Sequence, residues 1–214
     1  MAVLHTCIQE YEGLPDDTLP LLMSPLLPAQ KKDNPISYKV IGVVIQACAT
    51  TLQHICTKTL SDLLMAYTHT HTHTQEEGED EGYGHKHTDI HTLSDLQEDV
   101  YVLLYELHKL SPILVEDSLP VLSLQLKTEN EDTRIKAVKI LSRLYLSPHD
   151  YLGAHAEVWK IFVSRLHDIS SHVRLEVLRG CEGIVQSKGG GVMEMVEGEV
   201  AKRLRDPDEE VSGV

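Results

Sequence analysis

The chain has 214 residues, with 33 acidic against 19 basic side chains, and its net charge of −14 as a whole repels nucleic-acid phosphates. Apolar residues make up 42% of it, enough for a core in one domain or a small array, but only 5% are aromatic, and Trp159 and Phe162 are the sole Trp and Phe. The core is therefore Leu, Ile and Val, the filling of stacked amphipathic helices.

Cys7, Cys48, Cys56 and Cys181 form neither a CxxC pair nor a regular framework. Buried, reduced thiols of an intracellular protein explain them better than zinc or disulfides. The start, MAVLHTCIQEYEG, lacks a basic region followed by a long apolar core, and no run of about 18 apolar residues occurs, so neither secretion nor membrane spanning is expected. No lysine-rich import run is visible, so the compartment is not readable from such signals.

In chain order, residues 1–67 read as HEAT-like repeats. Prolines at 15, 20, 25, 28 and 35 limit the early helices to short pieces. After Asn34-Pro35 an uninterrupted helix is expected from Ser37 to about Tyr67, with Val40, Val44, Ala47, Cys48 and Leu52 on its apolar stripe. Residues 68–92, THTHTHTQEEGEDEGYGHKHTDIHT, break the pattern. Alternating Thr and His is what a CA-dinucleotide repeat encodes in one frame, which points to a retained or misjoined intron. The segment's net charge of −5, its Gly and Glu content and its scarcity of apolar residues predict disorder. A metal reading is the alternative, because His69 with His73, or His87 with His91, stand at i, i+4 and share a face if the segment is helical. Adventitious nickel or zinc binding fits them better than a built site.

Residues 93–214 return to helical periodicity. Leu96, Val100, Leu103, Leu104 and Leu107 form one stripe behind Ser94 as N-cap, and Ser118-Leu119-Pro120 starts a fresh helix. In the next helix Ile135, Val138, Leu141, Leu144 and Tyr145 fall within an arc of about 105° that includes Arg134. Trp159, Phe162, Val163 and Leu166, then Val173, Val177, Leu178, Cys181, Ile184 and Val185, read as two packed antiparallel helices. A last helix spans about Val192 to Leu204, and the expected second helix after Asp206-Pro207 does not follow, which reads as a truncated final repeat.

A period runs through this half. Leu126, Leu166 and Leu204 stand 40 and 38 residues apart, each opening a polar turn before a new apolar run. Such spacing marks HEAT-type helix pairs, which repeat every 40 to 47 residues or so. In phase, one slot holds Thr128, Asp168 and Asp206, a second Thr133, Val173 and Val211, and a third Arg134, Arg174 and Ser212. An arginine in the first turn of a second helix can send its fork of donors to turn carbonyls and to the Asp of a neighbouring repeat. Arg134, Asp168, Arg174 and Asp206 are thus expected to form a structural ladder.

SDLQEDVYVLLYEL (94–107), LPVLSLQLKTENEDTRIKAVKILSRLY (119–145), VWKIFVSRLHDISSHVRLE (158–176), LLPAQKK (26–32) and RDPDEE (205–210) together resemble, in order, the cohesin-associated HEAT-repeat family named for precocious dissociation of sisters. The resemblance covers most of the chain outside 68–92, and in the family these pieces occur within the amino-terminal half of a much longer protein. It implies an all-α HEAT-repeat array that acts as a non-catalytic nuclear scaffold. It also implies binding to cohesin through the kleisin subunit, recruitment of the wings-apart-like releasing factor and help to cohesion-stabilising acetylation. The chain departs from the family at Leu166, where an aromatic is usual, at Ser212 in place of the ladder arginine, and at Gly189-Gly190-Gly191 in place of a polar loop.

On the residues alone, other classes stay open. A generic HEAT scaffold for transport or phosphatase assembly is one; a metal-handling His-rich protein is another. An enzyme finds little support, since Lys188 before three glycines lacks the order of a phosphate-binding loop and Ser147, His149 and Asp150 crowd one turn. No cofactor is expected. Lys136, Lys139 and Arg143 lie near 200°, 140° and 180° from Arg134, opposite the apolar arc. They are the candidate partner-binding face, for an acidic segment, an inositol polyphosphate or DNA phosphate, against the alternative of an ordinary solvated surface.

Overall fold

A computed structural model describes residues 22–73, 93–203 and 206. All regular structure among the described residues is helical. The chain divides into two compact units, Met1–Asp117 and Ser118–Val214. The boundary therefore falls after the second helical stretch has begun, so that helices on both sides of the Thr/His segment belong to one unit.

In the first unit a 3-10 turn, Ser24–Leu26, leads to α1 (Pro28–Asp33), α2 (Pro35–Ala47) and α3 (Ala49–His73). Pro25, Pro28 and Pro35 start the 3-10 turn, α1 and α2 because a first-turn residue needs no N–H partner, and Leu27 before Pro28 is extended, with φ −67 and ψ 148. Asn34 caps α2 by accepting from the Ser37 N–H at 3.1 Å. The expected single helix after Ser37 is broken at Cys48 (φ −108, ψ 14), where α2 and α3 meet at 105°. No Gly or Pro marks the break, and Ile45, Cys48, Leu52 and Cys56 stay buried at helical spacing across it. The predicted stripe is also corrected. Val40 is 56% exposed and Ala47 lies outside, while Gly42 turns inward, where an added Cβ would meet Leu110 Cδ2 at 3.1 Å.

α3 then buries Leu60, Leu63, Leu64 and Tyr67, and Tyr67 meets Tyr101 edge to face at 5.3 Å. It continues through residues 68–73, the first part of the segment expected to be disordered. The Thr68 and Thr70 hydroxyls donate to the Leu64 and Ala66 carbonyls at 3.0 and 3.1 Å. The rest of that segment, 74–92, lies outside the described residues, and with it the expectation of disorder there.

α4 (Leu93–Glu98), α5 (Val100–Leu110) and α6 (Ile113–Glu116) complete the unit. Leu96, Val100, Leu103, Leu104 and Leu107 are fully buried, but the expected single helix is divided at Asp99 (φ −98, ψ 14), and Ser94 is the second residue of α4 and not its N-cap, because the helix already begins at Leu93. Among the described residues no single helix is long and apolar enough to cross a membrane.

One buried carboxylate ties α1, α2 and α5 together. Glu106 accepts from the Tyr38 hydroxyl at 2.9 Å, and ion-pairs with Lys109 at 2.7 Å and Lys31 at 3.5 Å. Lys31 also sits 4.2 Å from the Tyr38 ring centroid. Burial alone would raise the Glu106 pKa, but the hydrogen bonds from Lys109 and Tyr38 and the two ammonium charges outweigh it and hold the carboxyl below its ordinary value.

The second unit contains α7 (Leu119–Gln125), α8 (Glu131–Leu146), α9 (Tyr151–Ala154), α10 (Ala156–Ser164) with a 3-10 turn Arg165–His167, α11 (Ser171–Lys188) and α12 (Gly190–Arg203). α7 with α8, and α10 with α11, are the helix pairs of two successive HEAT-type repeats, and α12 is the first helix of a third. Asn130 and Ser170 cap the second helices, accepting from Thr133 N–H at 2.8 Å and Val173 N–H at 3.4 Å. Gly189, at φ 82, ends α11 in a conformation that favours glycine. α12 thus begins two residues ahead of the expected Val192.

α8 and α11 make the most extensive helix contact. Gly180 permits it, because an added Cβ would run into Ser142 and stand 3.2 Å from Phe162 Cζ. Tyr145 packs edge-on against Trp159 and Phe162 at 5.1 and 5.6 Å. The predicted stripes are buried throughout, except that Ile135 and Val185 are only half-buried.

Glu106→Gln is expected to cost about 1–3 kcal/mol at neutral pH, since the charged acceptor is lost among three donors. Because the folded-state pKa is lowered, the Glu106 contribution is complete above the unfolded carboxyl value and is lost as pH falls through the folded one. Urea unfolding at neutral and acid pH should show the variant's deficit shrinking as pH drops. An equal deficit at both would remove the charge from the account.

Candidate functional site

Each second helix of the second unit carries an arginine in its first turn, from which the side chain reaches both its own turn and the next one. Arg134 Nη1 donates to the Thr128 and Glu129 carbonyls at 2.9 and 2.7 Å, while its Nε and Nη2 donate to Asp168 Oδ2 and Oδ1 at 3.0 and 2.9 Å. Forty residues on, Arg174 Nη1 donates to the Asp168 and Ile169 carbonyls at 3.0 and 3.3 Å, and its Nε and Nη2 to Asp206 Oδ2 and Oδ1 at 2.8 and 2.7 Å. Asp168 thus receives one arginine on its carboxylate and the next on its carbonyl. Its Oδ1 also accepts from the Ser170 N–H at 3.0 Å, and Arg165 Nη1 lies 3.5 Å from Oδ2.

These ions are almost removed from solvent, with side-chain exposures of 5% and 2% in the first pair and 10% and 0% in the second. Burial of charge is tolerable only where forks and carboxylates match and the leftover donors find carbonyls. Thr128, in the Asp slot of the earlier turn, donates its hydroxyl to the Gln125 carbonyl at 3.0 Å. Val211 and Ser212 lie outside the described residues.

Two further links join successive repeats, and the sequence reading missed both. His172 Nδ1 meets Glu131 Oε1 at 2.8 Å, and His167 Nε2 meets Glu199 Oε2. Hydrogen bonds from His172 and then Ser170 hold the Glu131 carboxyl below its ordinary value. These partners stand 41 and 32 residues apart on exposed faces, so only the repeat register, applied to the flanks of the ladder, could have found them.

Lys136, Lys139 and Arg143 are all exposed on α8. Lys139 is 3.9 Å from Glu176 of α11, an acid that wheel geometry on α8 alone could not include. His69 is exposed on α3; the His73 side chain, His87 and His91 lie outside the described residues. Among the described residues no three His, Cys, Asp or Glu side chains are grouped to hold a metal ion. Cys48, Cys56 and Cys181 are buried free thiols, and burial pushes Cys56 and Cys181 up to about 12, far from thiolate reactivity. Ser147 Oγ donates to the Leu144 carbonyl, and Asp150 accepts from the Gly153 N–H, so both end or begin helices.

Stacked antiparallel helix pairs with an arginine–aspartate rung at each turn define the class: an all-α HEAT-repeat protein. The chain belongs to the sister chromatid cohesion protein PDS5 family, whose model matches residues 1–211. It is 22% identical over 98% of its length to the sister chromatid cohesion protein PDS5 homolog A of Danio rerio and to that of Homo sapiens. The human homolog B is 21% identical over the same share. The chain spans 14% of the homolog A proteins and 13% of homolog B. A solved structure of the Pds5-Scc1 complex superposes with a TM-score of 0.71 at 19% identity, covering 98% of this chain and 31% of that one, which establishes the shared fold.

Arg134→Met should destabilise the chain by about 3–5 kcal/mol, because Asp168 would keep a buried charge without its fork. The double change Arg134→Met with Asp168→Leu should cost clearly less than the sum of the single changes. Urea unfolding of the four proteins measures the coupling. Simple additivity would show the pair to be a bystander.

Proposed function

We propose that this chain serves as a non-catalytic scaffold that regulates cohesin and sister-chromatid cohesion through protein–protein binding on its helical-repeat surface. The single observation that carries the reading is the family match across residues 1–211, together with ladder residues that fit the repeat architecture. The likeness to a chain solved with Scc1 makes the cohesin kleisin the first partner. By family resemblance the wings-apart-like releasing factor is the second, and the nucleus is the site of action. The net charge of −14 favours protein partners over direct DNA binding. A non-catalytic role agrees with the capping duties of Ser147 and Asp150 and with the buried thiols.

The test is capture of purified Scc1 and, separately, of the wings-apart-like factor by the full 214-residue chain, with circular dichroism confirming the folded state. Saturable binding to Scc1 that is lost in Arg174→Met together with helicity is expected, since the surface depends on the stack. A folded chain that captures neither protein defeats the reading.

A further inference from the structure

The ladder fixes the register between α8 and α11, and that register extends the basic face beyond one helix. Arg174 stands 40 residues after Arg134, and Arg179 stands 40 after Lys139. Arg179 therefore occupies on α11 the position that Lys139 occupies on α8. The contact of Lys139 with Glu176 at 3.9 Å shows that these two outer faces abut. Arg179 is exposed and forms no hydrogen bond or ion pair among the described residues. With adjacent helix axes about 8–10 Å apart, Lys136, Lys139 and Arg143 on one helix and Arg179 on the next form a single cationic strip.

We infer that this strip, running across two repeats, is a docking surface for an acidic peptide segment of a partner protein. It rests on the reading of the chain as a protein-binding scaffold. Charge complementarity selects the occupant: in a chain of net charge −14, four cations are gathered on the outer faces of two helices. Asp132 and Glu176 are interleaved with them, which suits a segment of separated carboxylates with donors between. Duplex DNA, with one phosphate charge every ~1.7 Å of its axis, offers no such alternation of acceptors and donors to match those two acids. Lys188 does not belong to the strip, since it falls about 320° from Arg174 on the helical wheel, on the packed side of α11, where its Nζ donates to the Ser147 carbonyl at 2.6 Å.

The experiment is fluorescence anisotropy of the full chain with a labelled glutamate-rich peptide and, in a parallel arm, a short DNA duplex. The peptide should bind, more weakly as salt rises, and bind the chain more tightly than the duplex does. Arg179→Glu should weaken peptide binding about fivefold. Arg179→Lys should retain it, and Lys160→Glu, on α10, should leave it unchanged. Thermal unfolding of Arg179→Glu should match the parent, because the side chain is exposed. Absence of peptide binding by the folded chain, binding indifferent to Arg179→Glu, or tighter binding of the duplex would each overturn the proposal. Scc1 capture reads the scaffold function independently: its loss with peptide binding intact would defeat that function and leave the strip standing.

Discussion

Asp168 is where the second unit is held together. Its carboxylate takes the fork of Arg134 and its carbonyl takes the third nitrogen of Arg174, so one residue ends one rung and begins the next. Apolar burial between α8 and α11 is nondirectional and would tolerate sliding by a turn. The paired forks do not, because a guanidinium shifted along the helix loses two carboxylate bonds and two carbonyl bonds together. Register set at the turns then decides which side chains meet elsewhere: Lys139 with Glu176, His172 with Glu131, Lys188 with the Ser147 carbonyl.

The repeat, the ladder residues and the apolar stripes of the second unit were legible because each is written at a fixed interval. A period near 40 residues places Arg134 and Arg174, and a period of 3.6 places Val138, Leu141 and Val177. The first unit was less legible. Its bend at Cys48 has no local marker, since buried residues keep helical spacing through it and the break shows only when α3 finds its own partners. The Glu106 cluster was invisible for another reason: its partners Tyr38 and Lys31 stand 68 and 75 residues away, with no repeat to relate them.

The candidate binding face was legible only in part. A helical wheel placed Lys136, Lys139 and Arg143 together from one helix, but the surface a partner meets is built from neighbouring helices. Glu176 subtracts from that face and Arg179 adds to it. The period of 40 residues already aligned Arg179 with Lys139, whereas Glu176 shows as a neighbour of Lys139 only once the two helices are packed. The buried rungs therefore determine which charges stand side by side on the outer faces of α8 and α11.

The two ends of the α8–α11 pair are joined by bonds of different stiffness. At the turn end, planar forks at 2.7 to 3.3 Å grip carboxylates and carbonyls in fixed directions. At the far end, the tie is one flexible lysine reaching the Ser147 carbonyl, beside a glycine at φ 82. The directional bonds of the pair are therefore concentrated at the turn edge, while the lysine at the opposite edge can change rotamer without breaking a rung.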